Sequence, residues 1–397
     1  MAIYKLFPTK DATLYTAFKH MNTGLDSIIE TTTDYFASRA GVEDGISSST
    51  PQSSRILIQF DLSEINNVIT NIAGGASTTS FLRLYSANAR GLSSDTTLVV
   101  NAVGQNWNMG TGEYLTDPIS TNGCGWNARL RKNNGSWETD PSALGFDPTK
   151  GITGSYKTNE GTVQGGGAWY TASQSPFMNI SQSFDFYSSL DLNVDVTKII
   201  NKWKSNEFTN YGFIVRQSGS QEFLTALTSV EDQPRTELKF FSRDTNTIYP
   251  PQLEIKWDDS IWSTGSSTTV ELTTNEALIT LPNNKNEYYP EEIAKFRINA
   301  IERYPARTYL TASSYTSNFY LPSASSLYAI KDSKTNDYVI DFDNQFTKIS
   351  ADEESSFFKV YMNGLEPERY YTILVQTNID GETKIFDQDL NFKVIEG

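Results

Sequence analysis

The chain has 397 residues, with 32 Lys plus Arg against 47 Asp plus Glu and one His, so its formal charge is −15. A surface of that sign repels phosphate backbones, and nucleic acid is not an expected partner. No run approaches the roughly 18 apolar residues of a membrane span, and Met1 to Asp11 does not read as a signal peptide, so neither membrane insertion nor secretory export is expected. One cysteine, Cys124, and one histidine, His20, exclude an intrachain disulfide and a Cys/His zinc centre. What survives is carboxylate, tyrosine or lysine chemistry, or none. Aromatics at 13%, with abundant Ser and Thr, suit half-buried strands joined by polar turns.

Taken in chain order, alternation with period two dominates. Arg55 to Leu62 places Ile56, Ile58, Phe60 and Leu62 on one face and Arg55, Gln59 and Asp61 on the other, which predicts a strand wet on one side, with Leu57 partly covered. Leu82 and Leu84 repeat the pattern. Between Asn108 and Ala168 it dissolves into Gly, Asn, Asp and Pro around Trp126 and Trp137, and predicts a long loop insertion at about 108–168. The Gly165-Gly166-Gly167 run lacks the GK[ST] of a phosphate loop. Between Asp195 and Ser205 the period changes. Val196, Ile199, Ile200 and Trp203 fall at helical spacing behind a candidate Asp195 N-cap, predicting one short amphipathic helix lying on a sheet.

Strands resume with Phe213 and Val215, then with Leu253, Ile255 and Trp257 set against Glu254, Lys256 and Asp258. Periodicity then stops, and a linker is expected at 259–268. From Val270 onward Phe296 and Ile298, Phe358, Val360 and Met362, Tyr371, Ile373 and Val375, and Phe392 and Val394 predict a second all-β domain over 269–397. Neither a fixed-period repeat nor a heptad run appears.

Across the first 258 residues, Lys10-Asp11-Ala12-Thr13-Leu14-Tyr15, Asn22-Thr23-Gly24, Ser54-Arg55-Ile56-Leu57-Ile58-Gln59-Phe60-Asp61-Leu62, Leu82-Arg83-Leu84-Tyr85, Asp195-Val196-Thr197, Asn210-Tyr211-Gly212-Phe213, Phe241-Ser242-Arg243 and Pro250-Pro251-Gln252-Leu253-Glu254-Ile255 follow one another. This order resembles the DNRLRE family of jelly-roll, carbohydrate-binding-like modules. Trp107-Asn108-Met109-Gly110-Thr111-Gly112 and Gly165-Gly166-Gly167-Ala168-Trp169-Tyr170 look like the form of this module in structural proteins of contractile-tailed phages, particularly marine cyanophages. The resemblance, which covers about residues 3 to 258, implies an N-terminal jelly-roll β-sandwich over 1–258 and a place in the virion among other virion proteins; with the strands of 269–397, the expected chain is all-β, the jelly roll being followed by a C-terminal immunoglobulin-like β-sandwich. In the second domain Gly364-Leu365-Glu366-Pro367 followed by Tyr371 resembles the fibronectin type III corner, where a tyrosine buries its ring and returns its hydroxyl to nearby backbone.

Candidate chemistry is sparse. Sugar binding would use aromatic platforms, and Trp126, Trp137, Trp169 and Tyr170 lie in or beside the insertion where one could form; packing of the insertion onto the sandwich is the favoured reading for Trp107 and Trp169 and stands level with sugar binding for Trp126 and Trp137. Asp11, Asn22 and Asp26 near the first strand offer oxygen ligands for a structural Ca²⁺, the one cofactor considered. Adjacent carboxylates such as Asp258 and Asp259 point to opposite faces of a strand, while Asp341 and Asp343 could share one; a solvated edge suits both pairs better than glycoside hydrolysis. Cys124 has only His20 as a potential base and is expected to be a small structural thiol. The expected function is therefore a non-enzymatic structural component of a tailed-phage particle in tail, baseplate, neck or capsid exterior, homo-oligomeric on a symmetric ring or shell. The alternative is a glycan-binding adhesion module using the 108–170 loops, and a polysaccharide-degrading enzyme is the weakest of the three.

Overall fold

The computed structural model describes residues 2–35, 51–92, 96–132, 134–137, 152–153, 156–158, 161–163, 165–170, 180–185, 187–218, 222, 236–265, 270–305, 318–323 and 325–397. The parts of the expected insertion and linker that fall between these ranges lie outside the described residues. The fold is all-β, with two short α-helices, α1 (Leu62–Asn67) and α2 (Thr197–Lys204), among the described residues. Two compact units divide it, one of Leu6–Asn67 and Thr79–Glu254, the other of Met1–Lys5, Val68–Thr78 and Ile255–Gly397.

The larger unit is built on an eight-stranded antiparallel sheet. Its spatial order is Ile180–Phe184, Thr96–Ala102, Phe213–Gln217, Pro51–Gln59, Ile28–Tyr35, Thr236–Phe241 and Ser86–Arg90, with Lys10–Tyr15 also paired to Pro51–Gln59. Register fixes which side chains share a face, because partners directly opposite point the same way. Ile56 lies opposite Val215 and Ile58 opposite Phe213, giving a fully buried apolar face. Helix α2 covers part of it, with Trp203 4.7 Å from the Phe213 ring and Ile199 and Ile200 buried alongside, as their spacing predicts. The cap is displaced by one residue: Val196 is the N-cap, and Asp195 accepts the Thr197 amide at 2.8 Å from outside the helix. Strand Thr78–Leu84 pairs with Leu192–Asp195, Leu82 opposite Val194 and Leu84 opposite Leu192.

The strand predicted to reach Leu62 ends at Gln59, and Leu62 opens α1, which runs into a π-helical turn at Val68–Ile72; four alternating apolar residues cannot show where a strand hands over to a helix. The expected single helix is therefore two. The insertion is not structureless, since short antiparallel pairs join Ala128–Arg131 to Asn134–Ser136 and Ile152–Thr153 to Trp169–Tyr170.

The other unit is a sandwich of two sheets. In spatial order one is Ala277–Thr280, Ile293–Glu302, Ser356–Tyr361 and Ser350–Ala351; the other is Glu287–Tyr288, Glu382–Val394, Arg369–Ile379, Leu327–Asp332 and Tyr338–Ile340. Lettered along the chain these are A-B-E-D and A′-G-F-C-C′, the strand order of an immunoglobulin-like sandwich. Its core is aromatic: Phe358 from the first sheet stacks on Tyr328 from the second at 4.4 Å, and Phe296 meets Phe392 at 5.4 Å. Tyr371 donates its hydroxyl to the Glu366 carbonyl at 3.0 Å, closing the corner that its sequence context predicts. Ile3 joins this core, the Asn363 amide donates to the Lys5 carbonyl at 2.6 Å, and Lys5 donates to the Val339 carbonyl at 2.8 Å. Ile261 and Ser263, within the expected linker, both hydrogen-bond Ala351.

Candidate functional site

The face of Pro51–Gln59 expected to be wet is roofed. Leu14 lies opposite Arg55, Ala12 and Ile214 lie opposite Leu57, and Arg216 shares that face two residues beyond Ile214. Arg55 is wholly buried, with its guanidinium 4.6 Å from the Trp126 ring centre and 4.8 Å from that of Trp169. Its Nε donates to Glu222 Oε1 at 2.5 Å and its Nη1 to the Gly166 carbonyl at 2.6 Å. Arg216 lies over the same Trp169 ring at 4.9 Å, and Glu222 Oε2 is 3.8 Å from its Nη1. A buried guanidinium is tolerable only when paired and hydrogen-bonded, and this one is held by a carboxylate, a carbonyl and two aromatic faces.

The glycine run makes the stack possible. Gly165, Gly166 and Gly167 all have positive φ, and a Cβ on Gly166 would stand 2.5 Å from Arg55 Nη1 and 2.6 Å from Trp126. Only glycine admits the chain that close. Burial also accounts for the four proposed sugar platforms. Trp126 and Tyr170 are fully buried, Trp137 donates its indole N–H to the Gly125 carbonyl at 3.0 Å, and Tyr170 stacks on Phe208 at 3.9 Å. With Trp169 nearly as enclosed, none presents an open ring face. Trp107 donates to the Tyr211 carbonyl at 2.8 Å and packs in the same way.

The proposed calcium ligands are put to other uses. Asn22, fully buried, donates to the carbonyls of Met109 at 2.6 Å and Cys124 at 3.0 Å and accepts from the Gly112 amide at 2.8 Å, so its amide ties together the two sides of the 108–124 loop. Asp11 accepts the Arg243 amide at 2.7 Å, and burial pushes its carboxyl up to about 7. Burial raises Asp26 as well, with the charge of Glu113 acting in the same direction. Among the described residues no three His, Cys, Asp or Glu side chains are grouped to hold a metal ion. Cys124 is buried between its glycines, and burial pushes its thiol up to about 12.

Sequence reasoning missed a polar cleft of about 650 Å³ in the larger unit. Ile180–Phe184 and Leu192–Asp195, each the end strand of its sheet, supply most of its wall, and Ser189 and Asp191 between them, with Arg83 and Lys198, complete it. Gln182 bridges the two strands, donating to the Asp191 carbonyl and accepting the Asn193 amide, both at 2.8 Å. Two carboxylates, Asp191 and Asp195, balance the two cations, so the lining carries no net charge. Only the Asp-x-Asn-x-Asp alternation at 191–195 hinted at such a wall. The chain matches no protein-family model and none of the curated proteins.

Proposed function

We propose that the chain is a non-enzymatic structural component of a tailed-phage virion, seated in tail, baseplate, neck or capsid exterior and acting through protein–protein contacts. The observation that carries this reading is the exposure of large aromatic side chains in a chain that buries most of its apolar residues: Tyr187 is 93% exposed, Tyr304 75% and Tyr370 60%. Exposed aromatics of this kind supply anchors for interfaces. The motif order that resembles phage structural proteins, and a single histidine and a single buried thiol, point the same way. Mass spectrometry of density-purified particles tests it. Peptides of this chain should be present at a fixed ratio to the other particle proteins, and their absence from intact particles would reject the assignment.

The polar cleft favours a second reading, contact with a glycan. Amides and carboxylates at 182, 191, 193 and 195 match the hydrogen-bonding demands of sugar hydroxyls, so this reading moves from the enclosed tryptophans to the cleft. In affinity gels with embedded polysaccharide, retardation lost in Asn193→Ala and kept in Trp126→Ala would place the sugar in the cleft. Retardation by no polysaccharide would leave the scaffold role alone.

A further inference from the structure

Two sheets of the fold are four-stranded, and each has an end strand with a margin to protect. Among the described residues Leu192–Asp195, in the larger unit, ends one of them, and Ala277–Thr280, in the other unit, ends the second. Such margins invite pairing with a further strand. Successive residues of a strand point their N–H and C=O to opposite sides, so the ladder shows which groups face outward. The Arg303 amide donates to the Glu276 carbonyl, so Glu276 and Leu278 face the neighbouring strand Ile293–Glu302, and Ala277 and Ile279 face away. The Val196 amide on the Ser80 carbonyl likewise turns Asp191 and Asn193 outward.

A glutamine occupies both outward pairs. Gln388 donates to the Ala277 carbonyl at 2.9 Å and accepts the Ile279 amide at 2.7 Å. Gln182 holds the Asp191 carbonyl and the Asn193 amide in the same way, both at 2.8 Å. In each case one side-chain amide takes a carbonyl and the N–H two residues on, the groups that an added strand would use. Each glutamine reaches over from a different sheet. Gln182 lies opposite the fully buried Leu98 and so occupies an inward-facing position. Gln388 stands in a bulge, where the register with Arg369–Ile379 shifts between Ile373 and Val375 and Asp389 has φ +53°.

The two margins differ in what else defends them. Asp191 and Asp195 set carboxylates along the first, and these repel their own copies. The second reads Ala277-Leu278-Ile279-Thr280-Leu281 with no charge, and Leu278 is 42% exposed. An uncharged strand of this kind is complementary to itself when paired antiparallel about a twofold axis. We propose that Gln388 is an edge guard: its amide occupies the backbone groups through which Ala277–Thr280 would otherwise pair with the same strand of a second copy. Gln182 plays this part on a margin that charge already protects. Neither role depends on the virion assignment.

Light scattering of the full-length chain over a rising concentration series tests the guard. Gln388→Ala should fold, and its weight-average mass should climb above the wild-type value with concentration, while Gln182→Ala should keep the wild-type mass. Leu278→Lys added to Gln388→Ala charges the margin and should restore the wild-type mass. Gln388→Asn, too short to reach both groups, should associate as well, and it carries the test if the alanine variant does not fold. Hydrogen exchange at the Ile279 amide should be at least about tenfold faster in dilute Gln388→Ala than in the wild type, as expected for one lost hydrogen bond, and should slow again in the associated form. Variants that melt earlier yet keep the wild-type mass would overturn the proposal, because Gln388 would then only stabilise the sandwich. Association that Leu278→Lys does not reverse, or a wild-type mass that Leu278→Lys lowers, would overturn it too. Association of Gln182→Ala as strong as that of Gln388→Ala would remove the part given to the carboxylates.

Discussion

Asp11 is a carboxyl that folding makes harder to ionise. Its value rises to about 7, chiefly through burial, so the folded chain holds that proton more tightly than the unfolded chain does. Its contribution to stability is therefore complete below about pH 4 and is lost as pH climbs from there through 7. Asp11→Asn keeps an oxygen for the Arg243 amide and cannot ionise, so its urea midpoint should vary less than that of the wild type across this window. Identical pH profiles for the two proteins would remove Asp11 as the source. Cys124 behaves as an inert small side chain for the same reason, desolvation. A thiol pushed up to about 12 inside a closed loop should react with a disulfide reagent orders of magnitude more slowly in buffer than in denaturant. Rapid labelling of the native chain would contradict the enclosure described for it.

Between elements, the Arg55 stack and the tyrosine corner are the contacts with the clearest mutational signatures. Glu222→Gln leaves the Arg55 charge buried beneath Trp126 and Trp169 without its carboxylate, and should destabilise the larger unit by about 3–5 kcal/mol in chemical denaturation. A loss below about 1 kcal/mol would mean that the tryptophan faces and the Gly166 carbonyl suffice for the guanidinium. Tyr371→Phe deletes one hydroxyl and strands the Glu366 carbonyl, for an expected loss of about 1–3 kcal/mol. These two contacts also differ in legibility. The corner involves residues five apart and shows in the local sequence. The stack joins residues 55, 126, 166, 169 and 222, and period-two alternation assigned Arg55 to water because alternation reports which residues share a face, never what covers it.

For the whole molecule, the least local feature is the N-terminal strand. Ile3 is 8% exposed in a core otherwise drawn from residues 272–394. Ile3→Ala in the full chain should therefore lower the stability of the C-terminal sandwich by about 2–5 kcal/mol, read from its own unfolding transition. A shift confined to the transition of the larger unit would show that the strand belongs there.

The sequence by itself determined that the chain is β-rich and acidic, where α2 lies, and which residues of the C-terminal strands face inward, because alternation, helical spacing and charge are local or additive properties. Tertiary structure alone decided that Arg55 is buried, that Trp126, Trp137, Trp169 and Tyr170 pack inward, and that Asn22 braces a loop nearly ninety residues away. Each of these depends on which distant segment comes to rest over a given face, a choice set by summed packing and hydrogen bonding across the fold and not by any residue's neighbours in the chain.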